Sequence, residues 1–167
     1  MSNPLIDEPV TSYPDFGPYL TFKESIKSAT AIRKGILNMP SALIYQNMVR
    51  VYHDFYVPIC DRFGKIPVSS FYRSPELNRA IGGAKASAHM VGCAIDLDCD
   101  SLRTVSNLAL FNWIRQNLTF DQLILENPDQ HNNPAWVHVA HNRDGEADRM
   151  QVLRMVWEKG KQVYQAI

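Results

Sequence analysis

Ser87-Ala88-His89-Met90-Val91-Gly92-Cys93-Ala94-Ile95-Asp96-Leu97-Asp98 is the stretch on which the fold and chemistry of this chain turn. An imidazole and a carboxylate stand seven residues apart, with Gly92 between them. Residues 84–92 read as a loop and 93–98 (CAIDLD) as a strand. His89 and Asp96 can meet if the chain reverses locally, and Gly92 tolerates the backbone such a reversal needs. A third polar side chain of the same kind is His138 in WVHVA, residues 136–140. On a strand His138 shares a face with Trp136 and Ala140, while Val137 and Val139 point the other way. A lone imidazole on such a ribbon is either a hydrogen-bonded structural residue or a ligand. Two imidazoles and one carboxylate suit a single zinc ion and leave a fourth position for water, the pattern of a catalytic rather than a structural site.

Working outward, residues 66–71 (IPVSSF) read as a strand, and Ser74-Pro75 opens a short helix that Gly82-Gly83 ends. Thr21 with Glu24 makes a capping box, and the helix it opens closes at Gly35. A second helix starts at Ser41 and ends at Gly64, with Pro58 bending or interrupting it. The proline-bearing residues 1–20 read as an extended lead-in, leaving 21–167 as one domain. Downstream, Ser101 is expected to open a helix to about Leu118, with Leu102, Val105, Leu108, Ala109, Trp113 and Ile114 on its apolar side. Strands follow at 120–125 and 136–140. The segment 149–166 reads equally as a hairpin turning at Lys159-Gly160 or as a helix. Helices early and strands late predict an α+β fold, a helical N-terminal layer packed on a mainly antiparallel sheet.

Composition removes several classes. Lys+Arg and Asp+Glu balance at 17 each, without the basic excess of a general nucleic-acid or anionic-membrane binder. The three cysteines form no CxxC pair and read as reduced, buried thiols. No apolar run approaches the roughly 18 to 20 residues of a membrane span. The first residues have neither the basic start nor the apolar run of a secretory signal, so synthesis in the cytoplasm without a signal peptide is expected.

Phe71-Tyr72-Arg73-Ser74-Pro75-Glu76-Leu77-Asn78, then Gly82-Gly83, Ser87-x-His89, Gly92-x-Ala94-x-Asp96, FDQLI-x-E and WVHV, together resemble the zinc D-Ala-D-Ala carboxypeptidase family. That family includes peptidoglycan-cleaving endolysins of bacteriophages and shares its fold with the hedgehog signalling domain. The resemblance spans roughly residues 20–145, and small phage or prophage members look most similar. It implies a hedgehog/DD-peptidase-like fold, one Zn2+ held by His89, Asp96 and His138, and a substrate-binding arginine at Arg73. Several members carry the catalytic carboxylate three residues before the last histidine ligand, where this chain has Ala135. Glu126, at the end of the preceding strand, is the remaining candidate for the general base, and closer relatives carry a glutamate there.

Taken on their own, these residues keep alternatives. Glu126 is a proton acceptor or a solvated loop glutamate before Asn127-Pro128. Arg73 offers a fork to an oxyanion or a substrate carboxylate, or pairs with Glu76. Ser87 caps the loop or supports a ligand, and His141 is a candidate substrate contact. Asp98 and Asp100 read as solvated carboxylates, without the loop of a calcium site. The implied activity is hydrolysis of peptidoglycan peptides, as a D-Ala-D-Ala carboxypeptidase or a stem or cross-link endopeptidase. Such a protein would be a monomer with no nucleic-acid partner and no membrane insertion, reaching the wall after holin-type release or as part of a phage particle. The alternative is a non-catalytic, zinc-stabilised binding or virion-structural module on the same fold.

Overall fold

The computed structural model describes residues 11–167; the first half of the expected lead-in, residues 1–10, lies outside the described residues. The second half is packed rather than trailing. Phe16 and Leu20 are buried in the core, and Tyr13 stacks on Tyr45 with ring centroids 4.5 Å apart.

Helices form the first layer. Thr21 accepts from the Glu24 N–H and Glu24 returns a bond to the Thr21 N–H, the predicted box, but α1 is only Phe22–Ser25. Ser28 caps a separate helix, α2 (Ala29–Lys34), which ends at a left-handed Gly35. The single expected helix is therefore two, because Ser28 supplies a second cap. Ser41 caps α3 (Ala42–Val51), which runs through a π-helical stretch (Tyr52–Tyr56) into α4 (Val57–Phe63). Pro58 lacks an N–H, and its ring crowds the carbonyl four residues back. The wider π-helical turn directly before it lets the helix continue instead of breaking.

After β1 (Val68–Ser70), Ser74 caps α5 (Pro75–Ala80) as predicted. A one-turn 3-10 helix (Ala88–Val91) follows where a plain loop was expected, and it carries His89. β2 (Ala94–Leu97) leads to α6 (Asn107–Asn117), then β3 (Gln122–Glu126) and β4 (Trp136–Ala140). Ser106, not Ser101, caps α6. The later start is fixed by Asn107, whose side chain accepts from the Cys99 N–H at 2.6 Å and donates to the Pro134 and Ala135 carbonyls. The buried face of α6 is Asn107, Leu110, Phe111 and Ile114; of the expected stripe Ile114 is fully buried, while Leu102, Val105, Leu108 and Trp113 pack against the core partly exposed. The ambiguous terminal segment is a hairpin, β5 (Gln151–Glu158) and β6 (Lys161–Ala166). Its turn residues Lys159 and Gly160 both have positive φ (50° and 75°), the two-residue geometry that matches strand twist.

The six strands form one sheet in the order β1-β2-β4-β3-β5-β6. All neighbours are antiparallel except β3 and β5, so the sheet is mixed. Parity then sorts the side chains. Ile95, Leu97, Leu123, Leu125, Val137 and Val139 enter the hydrophobic core with Tyr52, Phe55, Phe111 and Ile114 from the helices. Each such burial contributes about 1.5–3 kcal/mol, which fixes which face looks inward. The alternate residues, Asp96, His138, Trp136, Ile124 and Glu126, share the opposite face.

Candidate metal centre

Strand register brings the first two candidates together. Asp96 and His138 are direct cross-strand partners on β2 and β4, and His138 Nδ1 lies 2.8 Å from Asp96 Oδ1. His89 arrives from the 3-10 turn, which Gly92 closes at φ 72°. A side chain at Gly92 would also come within 2.7 Å of the Ile44 carbonyl, so the turn requires glycine twice over. The ligand atoms of His89, Asp96 and His138 all lie within 4.8 Å of one another.

The hydrogen bonding around His89 fixes its protonation. Its Nδ1 is 2.6 Å from the Phe71 carbonyl, which can only accept, so the ring proton sits on Nδ1. Nε2 is left with a lone pair and faces Asp96 Oδ1 at 3.2 Å. It makes no aligned hydrogen bond among the described residues, although His89 is only 2% exposed. A buried nitrogen lone pair aimed at a carboxylate oxygen, with a second imidazole beside both, is an arrangement that a cation completes. Two nitrogens and one oxygen suit zinc, and the residues present fit that ion.

The electrostatics run the same way. Burial favours the neutral form of His89 and lowers its pKa, keeping the ring available as a ligand. Burial also opposes the charge on Asp96, but His89 and His138 outweigh it and hold the carboxyl far below the usual range. Arg73 adds a third contact to Asp96: its Nη2 donates to Asp96 Oδ2 at 2.6 Å and its Nε to the Ser70 hydroxyl at 2.8 Å. The alternative pairing with Glu76 is not the one formed; Arg73 pairs with Asp96 instead. Asp96 thus turns one oxygen to the histidines and the other to Arg73, and the ion-pair geometry orients the ligand.

Glu126 is not a solvated loop residue. It ends β3, is 7% exposed, and shares the cleft-facing side of the sheet with His138. Burial raises its pKa, with Asp96 reinforcing and His138 opposing the shift, a condition suited to a group that takes up and returns a proton. Ala135, where other patterns would carry the carboxylate, donates its N–H to the Glu126 carbonyl at 2.9 Å. The two positions adjoin at one end of the cleft. This cleft, about 840 Å³, is bordered by Arg73, Ser87, Glu126, Trp136, His138 and Tyr164.

Other expectations change. Ser87 stands at the N-cap position of the 3-10 turn, but its side chain makes no cap bond. His141 borders the cleft but is engaged by the protein: it stacks on Phe55 at 4.1 Å, with Nδ1 2.7 Å from Asp148 and Nε2 3.1 Å from Asp54. Asp98 and Asp100 are tied to the Asn107 amide rather than simply solvated. Cys60, Cys93 and Cys99 are free and buried. No helix among the described residues is long and apolar enough to cross a membrane. The Phe71 carbonyl, Ser70 and Tyr164 escaped sequence reasoning; only the register of β1 and the terminal hairpin could have indicated the latter two.

A buried His-Asp-His cluster on the open face of an α+β sheet, with a glutamate beside it, defines a metallohydrolase-type site. The family model for Peptidase M15 matches residues 18–140, and the chain belongs to that family of zinc D-Ala-D-Ala carboxypeptidases. No curated protein matches the chain.

Proposed function

We propose that this protein is a zinc-dependent peptidase that hydrolyses a peptide bond in the stem or cross-link peptides of bacterial peptidoglycan, with Glu126 as the proton acceptor. The observation that carries the reading is the lone pair of His89 Nε2, fixed by the Phe71 carbonyl and converging with Asp96 and His138. Zinc bound by these three residues would supply Lewis acidity and make water a usable nucleophile near neutral pH. Glu126 would take the proton of that water on its carboxylate and return it to the departing amine, a role worth roughly 10²- to 10⁴-fold in rate. Arg73 holds Asp96 Oδ2 and so turns its other oxygen toward the histidines. Arg73 borders the cleft, and its donors not engaged with Ser70 and Asp96 would be available to a substrate carboxylate or the developing oxyanion. Trp136 forms part of the cleft wall.

Burial of Glu126 beside the ligands supports an enzyme over a zinc-stabilised binding module, since Ala135 alone would leave the cleft without a base. The motif resemblance to phage members supports an endolysin or virion-associated setting. Digestion of purified peptidoglycan by zinc-loaded protein, read by mass spectrometry of the muropeptides, tests the proposal. New amine and carboxyl termini at one bond type are expected; unchanged muropeptides would contradict it.

A further inference from the structure

The family match ends at residue 140, yet the cleft does not. β5 and β6 extend the sheet beyond Glu126. β5 runs parallel to β3 with Ile124 opposite Leu153, so Leu153 and Met155 lie on the face that carries Glu126 and His138. Tyr164 on β6 is the antiparallel partner of Met155. Its ring therefore crosses the sheet toward β3, and its hydroxyl donates to Glu126 Oε1 at 3.3 Å. Tyr164 remains 46% exposed while Glu126 beneath it is nearly sealed.

We propose that Tyr164 is a positioning residue, its hydroxyl fixing the Glu126 carboxylate in the orientation from which it exchanges a proton with substrate. The role presupposes Glu126 as the proton acceptor proposed above. A carboxylate at a strand end has free side-chain torsions, and one directed donor removes much of that freedom. Burial, with Glu126 alongside, pushes the Tyr164 phenol up to about 12, so it stays a donor throughout the working range. The other ionisable groups acting on Glu126 are His138 from β4, Asp96 from β2 and Arg73 after β1. None comes from the hairpin, which makes the Tyr164 hydroxyl its contribution to the carboxylate.

Tyr164→Phe keeps the ring and the packing and removes only the donor. In the full-length protein, carboxyl NMR titration, with Glu126 assigned through Glu126→Gln, should show Glu126 titrating at higher pH in Y164F. The sign follows because the lost hydrogen bond favoured the charged form. An unmoved Glu126 titration overturns the proposal. In turnover, Y164F should lower kcat roughly 10- to 100-fold, the range for a hydrogen bond to a charged group, with KM and zinc content unchanged. In a Glu126→Gln background the same substitution should add nothing; a further loss of equal size there would show that Tyr164 acts elsewhere and would also overturn it. A wild-type protein that shifts its Glu126 titration on Y164F but never cleaves peptidoglycan removes the proposed function and keeps the Tyr164–Glu126 link. Turnover without the shift does the reverse.

Discussion

His89 and His141 sit in nearly matching surroundings and have opposite chemistry. Both are buried, both hold Nδ1 against an oxygen acceptor, and both place Nε2 about one hydrogen-bond length from a carboxylate. Neither Nε2 has an aligned partner. The differences lie one contact further out. At His141 each nitrogen faces a different carboxylate, Asp148 and Asp54. Asp54 is largely open to water and can adjust. At His89 the Nδ1 proton is committed to a neutral carbonyl, and Nε2 shares the Asp96 oxygen with His138. Asp96 is 2% exposed and tied to Arg73, so nothing can adjust. A buried histidine is therefore not evidence of a ligand; convergence of several electron pairs on one sealed point is.

The comparison breaks most sharply on substitution of the two histidines. His89→Ala should lose both zinc, measured by elemental analysis, and all peptidoglycan turnover; retained activity would refute the site. Glu126→Gln should bind zinc normally and lose about 10²- to 10⁴-fold in kcat. The same variant should be more stable than wild type, increasingly so as pH rises. The Glu126 pKa is raised in the folded state, so its contribution is most favourable below its unfolded value and is lost as pH rises through the folded one. Denaturant melts of both proteins from acid to neutral pH check the trend, and a constant difference would contradict it. Arg73→Met should weaken zinc retention about 10- to 100-fold in competition with a chelator, because Asp96 loses its anchor. His141→Gln should leave zinc content and kcat unchanged and lower unfolding stability by about 1–3 kcal/mol, since Asp148 Oδ2 loses the imidazole 2.7 Å away. Zinc loss in that last variant would erase the contrast between the two histidines.

How much of this was legible follows from where each determinant lies. In CAIDLD and WVHVA, strand parity fixes the face of every residue, so Asp96 and His138 could be placed together once both segments were read as strands. The caps at Thr21, Ser41 and Ser74 were equally accessible, being contacts within a few residues. The start of α6 was not, because Ser101 and Ser106 are alike as caps and the choice is made by Asn107 reaching the remote Pro134 and Ala135 carbonyls. The contacts of His141 were hidden for the same reason, since Asp54 comes from a distant helical segment. Tyr164 depends on the parallel pairing of β3 with β5, a long-range register that no local pattern encodes.

Zinc K-edge X-ray absorption on the stoichiometrically loaded protein addresses the centre most directly. One ion per chain is expected, with two imidazole nitrogens and low-Z oxygen ligands at about 2.0–2.2 Å and no sulfur at about 2.3 Å. A spectrum showing a single imidazole, a sulfur ligand, or a six-oxygen aqueous shell would place the ion away from His89, Asp96 and His138.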